Sequence, residues 1–126
     1  MPTEFRRLVF SNNELRDAIE GYIPKSGESL PTGPVRECHV SEDLGVEVII
    51  VIESEEDGTL RKFKMSTFFL SAALLEYCRE HQVPIPRDAN KYLEVVGDCL
   101  ALRITLRSAS ARFEEPGGAT PALEEL

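Results

Sequence analysis

No stretch of the sequence is long and apolar enough to cross a bilayer. The longest such run, "VEVIIVI" at Val46–Ile52, carries Glu47 and falls far short of the roughly 20 residues a span requires, so no membrane partner is expected. The first residues, "MPTEFRRLVF", are charged but lack the apolar stretch ending in small residues that marks a secretory leader, so export is not expected. Cysteine is scarce and odd in number. Cys38, Cys78 and Cys99 stand at unrelated spacings, which reads as reduced thiols in a cytoplasmic protein and not as a disulfide framework. There are two histidines, no Gly-x-Ser-x-Gly elbow and no glycine loop of the phosphate-cradling kinds. The chemistry of nucleophilic or phosphoryl-transfer enzymes therefore lacks its usual carriers. The expectation is a protein that is not an enzyme and holds no cofactor.

Positive charge is also lacking. Fourteen Lys and Arg face 22 Asp and Glu, for a net charge of −8. The segment from Ser108 onward has four Glu against Arg112, net −3, which leaves −5 on the preceding residues. Such a chain has no broad electrostatic grip on phosphates, so nucleic acid is disfavoured as a partner while a local basic face stays open.

What is present reads as one soluble domain. The 126 residues suffice for a core without staples, and 42% hydrophobic with 29% charged residues is ordinary for a globular chain. "FRRLVF" reads as a strand over residues 5–10. Ser11 and Glu14 make a capping box, flanked by Phe10 and Leu15 at the staple positions. Leu15, Ala18, Ile19, Tyr22 and Ile23 repeat at helical spacing, and Pro24 is expected to end the helix. "PKSGESLPTGP" over 24–34 is a loop. From Val35 the period becomes two: "VRECHV" is a strand, Val46–Ile52 a central one, and residues 46–65 a hairpin with an acidic tip at "ESEEDG". Arg61, Lys62 and Lys64 on the returning strand are expected to pair with those acids across the hairpin. Ser66 is a plausible cap for a second helix from Thr67 to about His81.

Residues 83–106, "VPIPRDANKYLEVVGDCLALRITL", hold two helix-breaking prolines and then a second hairpin turning at Gly97-Asp98. Leu100, Leu102, Ile104 and Leu106 share one of its faces. Residues 88–94 read equally as strand or as a helical turn started by Asp88. The element order is β-α-β-β-β-α-β-β, an α+β fold of mainly antiparallel sheet with two helices packed on it. Residues 1–107 form the domain. Residues 108–126 form an acidic tail expected to be disordered, with "PALEEL" at its end carrying the leucine spacing of a short helix that could fold on a partner.

Three constellations invite chemistry. Cys78 and His81 lie at i, i+3 on the second helix and Cys38-His39 on a strand. Adjacent strand residues point to opposite faces, though, and no C-x-x-C pair announces zinc, so no metal site is expected. The carboxylates Glu53, Glu55, Glu56 and Asp57 lack the alternating order that wraps calcium. Ile85, Pro86, Arg87, Leu93, Gly97, Asp98 and the alternation from Leu100 resemble the core of the AbrB/SpoVT swapped-hairpin family. The resemblance implies DNA binding through Arg87 and Lys91. Here, however, Pro84 stands where that family has a ladder-donating strand, and the Ile-Pro to Gly-Asp spacing is one residue short.

The reading favoured over this alternative is a small binding or regulatory module, adaptor-like, working through a protein–protein interface. Its basis is the second helix, apolar nearly all round. Phe68, Phe69, Leu70, Leu74 and Leu75 are the candidate interface, with a homo-oligomer expected and a protein partner of unknown identity.

Overall fold

The computed structural model describes residues 3–107, so the expectation of a disordered tail at 108–126 lies outside the described residues. The elements are β1 (Thr3–Phe10), α1 (Asn12–Ser26), β2 (Val35–Glu42), β3 (Val46–Glu53), β4 (Leu60–Met65), α2 (Thr67–Glu80), β5 (Asn90–Val96) and β6 (Cys99–Arg107). They form two three-stranded antiparallel sheets, ordered β1-β6-β5 and β2-β3-β4. The fold is α+β with mainly antiparallel sheet, and no described helix is long and apolar enough to cross a membrane.

Each helix starts for a reason written in its first residues. At α1 the Ser11 hydroxyl accepts from Glu14 N at 3.1 Å while Glu14 Oε1 accepts from Ser11 N at 2.8 Å, closing the capping box. At α2 the Ser66 hydroxyl accepts from Phe69 N at 3.1 Å. Pro24 does not end α1 as expected. The helix runs two residues further and stops at Gly27, whose φ of +77° gives the left-handed cap. A proline this close to the end removes a single backbone donor, and the following residues keep theirs.

Both hairpins form. Val96 faces Cys99 across a two-residue connection in which Gly97 takes φ +64°. Residues 90–96 are strand, which settles the ambiguity at 88–94. The acidic tip is bound up locally: Asp57 Oδ1 accepts from the Thr59 backbone N at 3.1 Å and its hydroxyl at 2.8 Å. The expected cross-hairpin pairing does not occur there. Lys64 meets Glu47 at 3.1 Å, Glu53 takes Arg36 from β2 at 2.8 Å, and the Arg61 guanidinium stacks 5.3 Å from the Phe63 ring centre.

Gly33 marks a close approach. The loop before β2 bonds the end of β3 through Glu53 N to Pro34 O at 3.0 Å and Glu55 N to Thr32 O at 2.9 Å. A Cβ on Gly33 would lie 1.8 Å from the Glu53 carbonyl oxygen.

One core draws on both sheets and both helices. Leu15, Ile19, Ile50, Ile52, Leu70, Leu74, Leu100, Leu102 and Ile104 are fully buried, each worth about 1.5–3 kcal/mol of removed apolar surface. The helices pack on each other through Tyr22 and Phe69, ring centres 5.2 Å apart and edge to face, and Phe10 meets Tyr77 the same way at 6.1 Å. Lys25 at the end of α1 ties to Glu76 at 2.8 Å and Glu80 at 2.7 Å on α2.

This packing reassigns most of the helix proposed as an interface. Phe69, Leu70 and Leu74 are buried in the chain's own core, because α2 packs against α1 and both helices share one buried cluster with the strands. Phe68 stays exposed at 60%, and Leu75 is half-buried.

Candidate functional site

Where α2 ends, the chain turns sharply. Val83 N donates to Cys78 O at 2.8 Å and Gln82 N to Arg79 O at 3.3 Å, the paired bonds of a Schellman ending. That ending needs a left-handed residue after the cap, and here it is Gln82, at φ +59°. A non-glycine residue held there stores roughly 1–2 kcal/mol of steric cost. Among the described residues it is the one non-glycine with positive φ.

Residues 83–86 then run without regular structure toward β5. With Pro84 and Pro86 they offer few backbone donors, and the two proline carbonyls are satisfied from elsewhere. Arg6 of β1 reaches over, its Nη1 donating to Pro84 O at 2.9 Å. Ala89 N donates to Pro86 O at 3.2 Å, closing a turn. Lys91 Nζ braces that turn by donating to Ala89 O at 3.0 Å and Arg87 O at 3.3 Å. Arg6, Ile104 and Lys91 form one row across β1, β6 and β5, so both bracing cations stand on the same sheet face.

Between α2 and this connection lies an open groove of about 540 Å³. Leu75, Val83, Pro84 and Ile85 give it apolar walls, Gln82 lines it, and Arg79, Arg87 and Lys91 supply its charge. None of its lining residues is acidic, in a chain of net charge −8. Its volume falls in the range of ligand sites, about 300–1,000 Å³.

The three cations are not equivalent. Lys91 is 7% exposed and spends its ammonium on carbonyls. Burial lowers its pKa from the ordinary 10.5, with Asp88 opposing that shift. Arg79 is exposed and engages Glu76 through Nε at 2.9 Å. Arg87 is exposed at the mouth.

The structure thus brings Leu75, from the proposed protein interface, together with Arg87 and Lys91, the proposed DNA contacts. It separates the rest of the interface set from them. Of the two DNA candidates, Lys91 has its ammonium turned inward and Arg87 alone is exposed. The hairpin that carries Lys91 and follows Arg87 pairs with β1 of the same chain as part of a three-stranded sheet. Sequence reasoning missed Arg79, Gln82 and Val83 as wall residues. The available signal was Pro84, two residues past the turn that ends α2, which marks a helix end but not its left-handed geometry.

Elsewhere the reactive side chains are quiet. Burial pushes the Cys38 thiol up to about 11 despite Arg16, and raises that of Cys78 despite Arg6. Cys99 is raised by desolvation and by Asp98. A raised thiol pKa withholds the thiolate that nucleophilic and metal chemistry use. His39 turns outward to Glu37 at 2.9 Å, while His81 stacks on Tyr77 with Nδ1 2.9 Å from the Tyr77 carbonyl oxygen. Among the described residues no group of three or more His, Cys, Asp or Glu is placed to hold a metal ion.

Comparison with family models, with curated proteins and with solved structures returns no match.

Proposed function

We propose that this domain is a non-enzymatic binding module whose groove between α2 and β5 takes up a short protein segment carrying apolar and acidic side chains. The observation that carries the reading is the groove's composition: apolar walls, three cations and no acid, on a chain otherwise dominated by negative charge. Apolar walls give affinity by excluding water, and sparse charges at the rim give orientation and selection. The backbone strain at Gln82 supports it, since strained residues are retained where a site needs their placement. The raised thiols support a role that is not catalytic.

The direct test is fluorescence anisotropy with a labelled synthetic peptide of alternating Leu and Glu pairs. Binding to the full chain should weaken about tenfold in Arg87→Glu, equivalent to about 1.4 kcal/mol. A labelled random-sequence DNA duplex serves as the competing probe. Duplex binding that falls steeply with salt, with no peptide binding, would replace this reading by the DNA alternative.

Self-association remains a second reading, on a different surface. Phe5, Val9 and Tyr92 share the outer face of the β1-β6-β5 sheet and are exposed at 63%, 48% and 40%. Around them Arg7 reaches across to Glu94 at 3.3 Å, and Arg103 lies 6.0 Å from the Phe5 ring centre. A homodimer through this face would appear as a doubled solution mass, reduced to the monomer value by Phe5→Asp.

A further inference from the structure

We infer that the free edge of β1 pairs antiparallel with β1 of a second copy of this chain, with Phe5 on the two-fold axis. Two β1-β6-β5 sheets then become one continuous sheet. The inference rests on the self-association reading, which it deepens by assigning the contact to the edge of the sheet and not to its outer face. It is independent of the groove.

What the edge offers follows from the alternation of an antiparallel ladder. The two-residue turn at Gly97-Asp98 makes Val96 and Cys99 a hydrogen-bonded pair. Leu100, Leu102, Ile104 and Leu106 therefore turn their peptide groups the other way, onto Phe10, Leu8, Arg6 and Glu4 of β1. Thr3, Phe5, Arg7 and Val9 are left aiming theirs outward, and among the described residues no backbone bond meets them. Such a row is a template for another strand. Other outer strands are blunted: β4 carries Lys62 and Lys64, and β2 has a register shift between Val35 and Glu37. On β1 the arginines are drawn away from the edge. Arg7 reaches across its own sheet to Glu94 at 3.3 Å, and Arg6 to the Pro84 carbonyl oxygen at 2.9 Å.

Charge selects the register. When a strand pairs with its own copy, the residue on the two-fold axis faces itself. Centring the pair on Glu4, Arg6 or Arg7 sets like charges directly opposite each other, which destabilises. Centring it on Leu8 carries the partner's Glu4 alongside Asn12, where the chain has already turned into α1. Centring it on Phe5 has neither defect.

In that register the outward-aimed peptide groups of Phe5 meet those of the partner's Phe5, and Thr3 meets the partner's Arg7. Glu4 faces the partner's Arg6, and symmetry repeats the pair on the other side of the axis. Glu4 is exposed and has no ion pair among the described residues. Arg6 keeps donors beyond the one given to Pro84. On the outer face Phe5, 63% exposed, comes against its own copy, with Cα atoms about 5.5 Å apart. A foreign strand would need this acid-aromatic-base spacing, whereas a second copy supplies it by symmetry. The joint from Thr3 to Arg7 is short, which places it among transient contacts and makes the mass depend on concentration.

The experiment measures solution mass against concentration for the full chain, for Glu4→Lys, for Arg6→Glu, and for the two variants mixed. Phe5→Asp would break an edge contact and a face contact alike, whereas Glu4 and Arg6 lie on the opposite sheet face from Phe5. Wild type should approach the doubled mass as concentration rises. Each variant alone opposes like charges twice and should dimerise about tenfold more weakly. The mixture, in which each substitution faces the other, should regain the doubled mass. In wild type mixed from labelled and unlabelled chains, a filtered NOE should join Glu4 Hα to the partner's Arg6 Hα. That signal decides the matter if Arg6→Glu fails to fold. A doubled mass untouched by both variants, with no such NOE, would overturn the edge pairing and leave the outer-face reading standing. A monomer at every concentration would overturn both. A mixture that stays monomeric, again without the NOE, would overturn the pairing of Glu4 with Arg6 and the register built on it.

Discussion

Lys91 Nζ lies 3.0 Å from the carbonyl oxygen of Ala89, two residues before it in the chain, and this bond turns a lysine inward to hold the bend that forms the groove wall. Lys91→Met keeps the apolar stem and leaves two carbonyls short of a donor, at an expected loss of about 1–3 kcal/mol. The pH dependence has a definite sign. Burial lowers the Lys91 pKa below 10.5, so the folded state holds the proton more weakly than the unfolded chain does. That penalty is present in full below the folded value and fades as pH rises from there to 10.5. Urea unfolding across the alkaline range should show a gain in wild-type stability relative to Lys91→Met. Parallel curves for the two proteins would refute it.

Gln82→Gly separates stability from binding. Glycine adopts positive φ without the Cβ clash, so the variant should be about 1 kcal/mol more stable. It also removes a side chain that lines the groove, and peptide affinity should fall. Thermal unfolding and anisotropy on one preparation check both. A variant less stable than wild type would show that Gln82 is held by favourable contacts and not against strain.

Glu76 links the α1–α2 contact to the groove. Arg79 first, then Lys25, pulls its carboxyl from 4.5 down to about 2. Because the folded value is the lower one, the stabilisation is complete above 4.5 and is lost as pH falls through about 2. Glu76→Gln should flatten the acid limb of the unfolding curve in that window. It should also free the Arg79 guanidinium toward the groove and tighten binding of the Leu/Glu peptide at neutral pH. An acid limb unchanged by the substitution would show that other carboxylates carry it.

Adjacent residues of α2 should behave oppositely. Phe69 is buried against Tyr22, and Phe69→Ala should lose about 3–5 kcal/mol. Phe68 is exposed, and its alanine variant should stay within about 0.5 kcal/mol of wild type. Chemical denaturation of both decides it. A large loss at Phe68 at high protein concentration alone would point to an interface there.

The elements were legible in the sequence because their signals are local. The Ser11–Glu14 box, the period-two runs and the Gly97 turn each act within a few residues, and each formed. The apolar circumference of α2 was legible too, but its cause was not. Whether Phe69 and Leu70 meet a partner chain or α1 depends on packing between elements distant in sequence, about which periodicity carries no information. The groove was hidden for the same reason. Its walls join a helix end, an irregular connection and the start of a strand, and Arg6, which holds Pro84, comes from 78 residues away.

The pairing of β1 with β6 has a consequence for the birth of the molecule. Phe10 finds its partner Leu100 only when that residue has left the ribosome, roughly 5–20 s after Phe10 itself at ordinary elongation rates. For that interval the nascent chain carries an unpaired strand edge with Phe5, Leu8, Val9 and Phe10 along it, a template for association with any neighbouring chain. The β3–β4 and β5–β6 hairpins can close as they emerge, but the first strand waits for the last. Synthesis speed through residues 90–107 therefore sets how long that edge stays unpaired.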